Sequence, residues 1–162
     1  MRTSRFACIA VVLTLLGASV SFGVSAGAFA DSSDSYDEDS DSLFYSVTTS
    51  VYGVFNWSYS LQAYASATIS GSVAGSSYAV AAAQANVTGI ASDSVSAHMA
   101  FFGTIASDSM GDSASDSGLR RMFPGDGLFF SELCDATASW DSPDGGCVAY
   151  AASNASASGG IW

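Results

Sequence analysis

Few side chains in this sequence could do chemistry. His98 is the single histidine, so any Ser-His-Asp relay would have to be built on it. Ser and Asp abound, but no G-x-S-x-G elbow presents a nucleophile. His98 stands beside Ser96 on the polar side of an alternating segment and reads as a surface histidine. Glu38 and Glu132 are the only glutamates. Glu132 with Asp135 or Asp126 is the carboxylate pairing that glycoside hydrolysis would use, and neither spacing is diagnostic. The Ser-Asp-Ser triplets at 92–94 and 107–109, with Asp112 and Asp116, offer oxygens to calcium, but no EF-hand loop or nonapeptide repeat frames them. Lysine is absent, which excludes Schiff-base chemistry and a P-loop. The sequence therefore predicts a non-enzyme without cofactor or metal.

Other residues suggest binding or processing. Tyr52 and Tyr64 fall on the polar side of an alternating stretch, where exposed rings could stack on sugar. Arg120 and Arg121 are adjacent in a Ser/Asp/Gly-rich segment, which makes them a candidate site of loop processing. Cys134 and Cys147 are a candidate disulfide if the chain is exported. Asn56, Asn86 and Asn154 each begin a glycosylation sequon, a match expected by chance in a Ser/Thr-rich chain.

Charge narrows the partners. Arg2 and Arg5 precede an apolar run from Phe6 to Leu16, too short to span a bilayer, and Ala28-Phe29-Ala30 is a small-x-small cleavage site. Residues 1–30 thus read as a signal peptide, and the mature chain is expected to be secreted and extracellular. That mature chain keeps Arg120 and Arg121 against all fifteen acidic residues, a net charge of 2 − 15 = −13. Such a chain repels phosphate backbones and anionic headgroups, so nucleic-acid binding and membrane insertion are not expected.

The elements that must position these residues are strands. From Leu43 to Ile69 every odd-numbered residue is apolar or aromatic except Thr49 and Gly53, while most even-numbered ones are Ser, Thr, Asn or Gln. A period of two is a strand with one buried face. At 3.3 Å per residue the stretch would run to about 90 Å, against about 30 Å for a domain of this size. It must therefore bend. A two-residue hairpin would switch the apolar parity and none occurs, which leaves an odd-length turn, a compensating bulge, or passage into a second sheet. Gly53 and 56–58 are the expected pivots.

Asp31 to Asp41 is too acidic to bury anything, so 31–42 is expected to be an acidic disordered segment. Strands are expected over 77–87 and 95–101, and 104–126 as a long loop. Residues 128–140 and 147–153 are expected to pair as a hairpin about Pro143-Asp144-Gly145. The fold class is all-β: an antiparallel β-sandwich or small barrel of about six to eight strands, with the domain at 43–162. The expected function is binding to a surface, glycan or protein partner. The alternatives are a small exported bacteriocin-like toxin or a self-assembling extracellular structural protein.

Overall fold

The computed structural model of the chain describes residues 5–11, 19–30, 35–70, 77–103, 105–142 and 146–162. Nine strands run through them: β1 Arg5–Val11, β2 Ser19–Ala30, β3 Tyr36–Thr48, β4 Gly53–Ile69, β5 Tyr78–Gly89, β6 Asp93–Phe102, β7 Ala106–Met122, β8 Gly127–Asp141 and β9 Cys147–Ile161. No helix occurs among the described residues. The strands form two sheets, ordered β1-β3-β8-β5-β6 and β2-β9-β4-β7. All pairings are antiparallel except β1 with β3. The sheets stack, with β3 and β8 against β2, β8 and β5 against β9, and β5 and β6 against β4.

The long alternation is two strands in different sheets. β3 ends at Thr48, residues 49–52 cross over, and β4 begins at Gly53 in the opposite layer. Crossing between facing sheets explains the unswitched parity, because both inner faces point into the same core. The pivot lies at 49–52, just before Gly53 and ahead of 56–58. Buried Thr49 fixes it: its Oγ donates to the Val51 carbonyl at 2.8 Å, and its backbone N–H to the Asp126 carbonyl at 3.1 Å.

Alanine dominates the core. Ala63, Ala65 and Ala67 of β4 face inward with Ala79 to Ala85 (odd numbers) of β5, Ala136 and Ala138 of β8, and Ala149, Ala151, Ala155 and Ala157 of β9. The larger volume comes from Tyr45, Phe55, Tyr59, Leu61, Met122, Phe130 and Trp140. Large side chains need small neighbours in so tight a layer. Gly159 lies beside Phe55, and a Cβ there would come within 2.2 Å of the ring. Gly118 does the same for Trp57, at 2.6 Å.

Four expectations are corrected. The stretch 104–126 is mostly β7, paired with β4 along its whole length from Ala106 to Met122. Its Ser, Asp and Gly are poor strand formers, but the free edge of β4 supplies backbone partners that outweigh propensity. Residues 128–140 and 147–153 do not pair as a hairpin, since β8 and β9, which hold them, belong to opposite sheets. The tail beyond Ser153 continues β9, which lies between β2 and β4. The acidic stretch is ordered from Tyr36 on as the first half of β3, while 31–34 lie outside the described residues. The turn expected at 143–145 lies outside them too.

The glycine next to Phe55 gives a direct test of packing. Gly159→Ala is expected to lower stability by about 1–3 kcal/mol through overpacking. Gly111→Ala meets only ordinary contacts, at 3.7 Å and beyond, and is expected to be neutral or to gain up to about 0.5–1 kcal/mol. Urea denaturation of both variants at one temperature measures the difference.

Candidate functional site

The parity of the backbone decides which groups face where. Val54 and Trp162 exchange both backbone hydrogen bonds, at 3.1 and 3.0 Å. In an unbroken antiparallel register the bonded pairs then alternate. So even-numbered residues of β4 and β9 bond each other, and odd-numbered residues of β9 point their N–H and C=O groups toward β2. Odd-numbered side chains of both strands enter the core. Even-numbered ones form the outer face of the four-stranded sheet.

That outer face carries a cluster that one-dimensional reading had found only in part. Tyr64 of β4 and Tyr150 of β9 lie ring to ring with centroids 6.0 Å apart and planes tilted by 54°. Both are about 40 % exposed, which leaves ring surface open to a ligand. Gln62 lies directly across from Asn154, one outer-face position along from Tyr64 and two from Tyr150. On the other side Gly111 of β7 stands opposite Tyr64 and Ser113 opposite Gln62. Glycine there leaves the flank of the Tyr64 ring uncovered. An open groove runs past Gln62, Tyr64, Tyr150 and Asn154, walled on its far side by Ser25 and Gly27 of β2 and by Asp39, and a second touches Gln62, Tyr64, Asp112 and Ser113. Two rings beside amides and hydroxyls, with no cation, is the donor set for stacking on and hydrogen-bonding to a polyhydroxylated ring.

The two tyrosines singled out by sequence are not brought together. Tyr52 sits in the crossover and meets Phe123 edge-on at 5.4 Å. Twelve residues separate it from Tyr64, about 40 Å of extended chain. Tyr150 was missed because its partnership with Tyr64 depends on register. Its own alternation, exposed between buried Ala149 and Ala151, was the available signal. Of the sequon asparagines, Asn154 is exposed on this face, whereas Asn56 and Asn86 are half-buried.

Other candidates disperse. His98 is exposed at the edge strand β6. Arg120 and Arg121 are exposed but lie within β7, paired with Phe55 and Val54, and so are not in a loop. Cys134 and Cys147 are buried and not joined. Cys134 lies against Ser153 and Ala155 of β9. That is at least six residues from Cys147, about 20 Å along a strand, far beyond disulfide reach. Burial pushes the Cys134 thiol up to about 11. Among the described residues no group of three or more His, Cys, Asp or Glu could hold a metal ion.

Glu132 faces the core, 1 % exposed, and neither carboxyl oxygen has a hydrogen-bond partner. Asp135 is on the opposite face of β8 and Asp126 lies before that strand, so the carboxylate pairs do not form. Burial alone raises the Glu132 pKa from 4.5 to about 7. A neutral acid tolerates that site and an ion does not.

The sign of the pH effect follows. The unfolded chain releases this proton near 4.5 and the folded chain near 7. The stabilising contribution is complete below about 4.5, declines as pH rises, and is gone above about 7. The difference corresponds to at most about 3 kcal/mol. Glu132→Gln removes the titration. Denaturation midpoints between pH 5 and 8 are expected to fall for the parent relative to the variant, with the variant the more stable by about 1–3 kcal/mol at pH 8.

No protein-family model matches the chain, and no curated protein matches it in sequence.

Proposed function

We propose that the chain is exported, cut after Ala30, and acts outside the cell as a non-catalytic β-sandwich that binds a neutral glycan. The binding face is the outer surface of β4 and β9. The observation that carries this reading is the Tyr64–Tyr150 ring pair beside the facing amides of Gln62 and Asn154. Sugar rings offer apolar C–H faces to aromatic rings and hydroxyls to amides, and both kinds of partner sit here within neighbouring positions of two strands. Neither β4 nor β9 contains a charged residue, which suits an uncharged ligand. The acidic chain as a whole disfavours anionic polymers. The leader reading is supported by Arg2 and Arg5, the apolar run and Ala28-Phe29-Ala30.

The test is a glycan array probed with the exported chain. Binding to a neutral oligosaccharide is expected, and the Tyr64→Ala/Tyr150→Ala double variant should bind about tenfold more weakly or worse, at about 0.5–1.5 kcal/mol per ring. Tyr52→Ala, remote from the face, should bind like the parent. Absence of any glycan binding, or a double variant as strong as the parent, would overturn the reading.

A further inference from the structure

The sheet edges are treated unequally, and the inequality points to a partner. A free edge strand presents a row of unpaired N–H groups that invites another chain. In this protein aspartates occupy several of those groups on each free edge of β6 and β7. Odd-numbered residues of β4 face β7, so the odd-numbered N–H groups of β7 point outward. Ser109, Ser113 and Ser117 each donate theirs to the preceding residue's Oδ1, that of Asp108, Asp112 and Asp116, at 2.7, 2.9 and 2.7 Å.

The other edges follow suit. On β6, Gly103 bonds Ser77, which turns the even-numbered N–H groups outward. Ser94 donates to Asp93 at 2.8 Å and Ser96 to Asp112 at 3.4 Å. On β2 the outward N–H groups of Gly27 and Phe29 reach Asp39 and Asp37 of the facing sheet, at 3.2 and 3.1 Å. β3 is covered by β1 and becomes an edge only where residues 1–30 are removed; on that side Ser42 donates to Asp41 at 2.9 Å. β3 also carries Asp37, Glu38 and Asp39, which oppose a second acidic strand.

β9 has no such protection. From Cys147 to Ile161 it contains no charged residue and no proline. Its odd-numbered N–H groups are covered by β2 alone, along Ser19 to Ala30. These are the residues that the proposed cleavage removes. Resting on that reading, we infer that the processed protein is a closed dimer in which β9 pairs antiparallel with β9 of a second copy in place of β2.

The strand is self-complementary for this. Centred on Asn154, a two-fold register sets residues whose numbers sum to 308 opposite each other, for instance Ser153 with Ala155 of the other copy. Odd-numbered residues then meet odd-numbered ones, so outward N–H and C=O groups face their counterparts, and both core faces stay on one side. An uncharged strand lets two copies of a chain with net charge −13 approach where they repel least. Because β3, β6 and β7 are guarded, pairing stops at two copies. The joined sheet runs β7-β4-β9-β9-β4-β7, with two Tyr64–Tyr150 clusters on one face, an arrangement suited to bivalent binding.

The experiment uses the chain recovered from the medium after export. Intact mass reports the amino terminus, and light scattering coupled to size exclusion reports the assembly. A chain beginning at Asp31 and weighing as a dimer, with slow amide exchange at the odd-numbered residues 149–157, is expected. A monomer beginning at Asp31 would overturn the pairing and leave the export reading intact. Retention of residues 19–30 would overturn both. Ala152→Asp/Ser156→Asp places carboxylates before two outward N–H groups and opposite each other in the two-fold register, without touching a core position. It is expected to be monomeric with an unchanged far-ultraviolet circular dichroism spectrum; a folded variant that is still dimeric would count against β9 as the interface.

Discussion

Everything in this fold depends on how backbone N–H groups are satisfied where the sheets end. Among the described residues there are only strands, turns and crossovers. Interior strands close their hydrogen bonds with their neighbours, but two stacked open sheets leave four edges. Here the side chain of an aspartate folds back on the following N–H at Asp93, Asp108, Asp112 and Asp116, and aspartates of β3 reach across to β2. This is a local competitor to strand pairing. It explains how β7 can be a long edge strand of Ser and Asp without inviting further strands.

The same arrangement explains why β7 is exposed on both faces. It contacts only β6 across the gap, and β6 is itself the last strand of its sheet. Asp108, Asp112 and Asp116 therefore hang over the rim and remain solvated. Inward of the rim, Tyr59 of β4 donates its hydroxyl to Asp93 of β6 at 2.9 Å and ties the two layers together. Burial, and then the Asp93 carboxylate, push that phenol up to about 12, so the tie persists through the neutral range. Ser153 of β9 makes the corresponding link to the Asp135 carbonyl of β8 at 3.0 Å. Between these links lies a core of alanine, whose small side chains contribute little apolar area each. The unpartnered Glu132 carboxyl is consequently a large penalty for a modest core once it ionises.

The sequence revealed face and strand type more readily than neighbours. The period of two between Leu43 and Ile69 identified the buried residues, and length arithmetic required a bend. Its unswitched parity already admitted passage between sheets. It could not identify β7, because there the alternation is of Ser with Asp, and no hydrophobic contrast marks an inner face. Nor could it place β9 opposite β4, since the Pro143-Asp144-Gly145 turn signal describes a local reversal and carries no information about which sheet receives the chain. The Tyr64 half of the candidate site was visible as an aromatic on a polar face. The Tyr150 half depends on the register of strands 86 residues apart, which is a tertiary property.

The distribution of charge joins these strands into one functional design. An overall charge of −13 for the proposed mature chain suggests a uniform acidic surface, yet the strand carboxylates gather on β3, β7 and β8, with one on β6, and leave β4 and β9 neutral. Like charges directly opposite on neighbouring strands destabilise a sheet, so acidic residues are best tolerated where one side has no neighbour. On the edge strand β7, edge protection and repulsion thus favour the same positions, and the centre of the four-stranded sheet is left to uncharged polar and aromatic groups. Gln62, Asn154 and two phenols hold that centre, with Asp39 and Asp112 at its margins. The acidic rim repels polyanions at longer range, which is why the ligand proposed for this face is a neutral one.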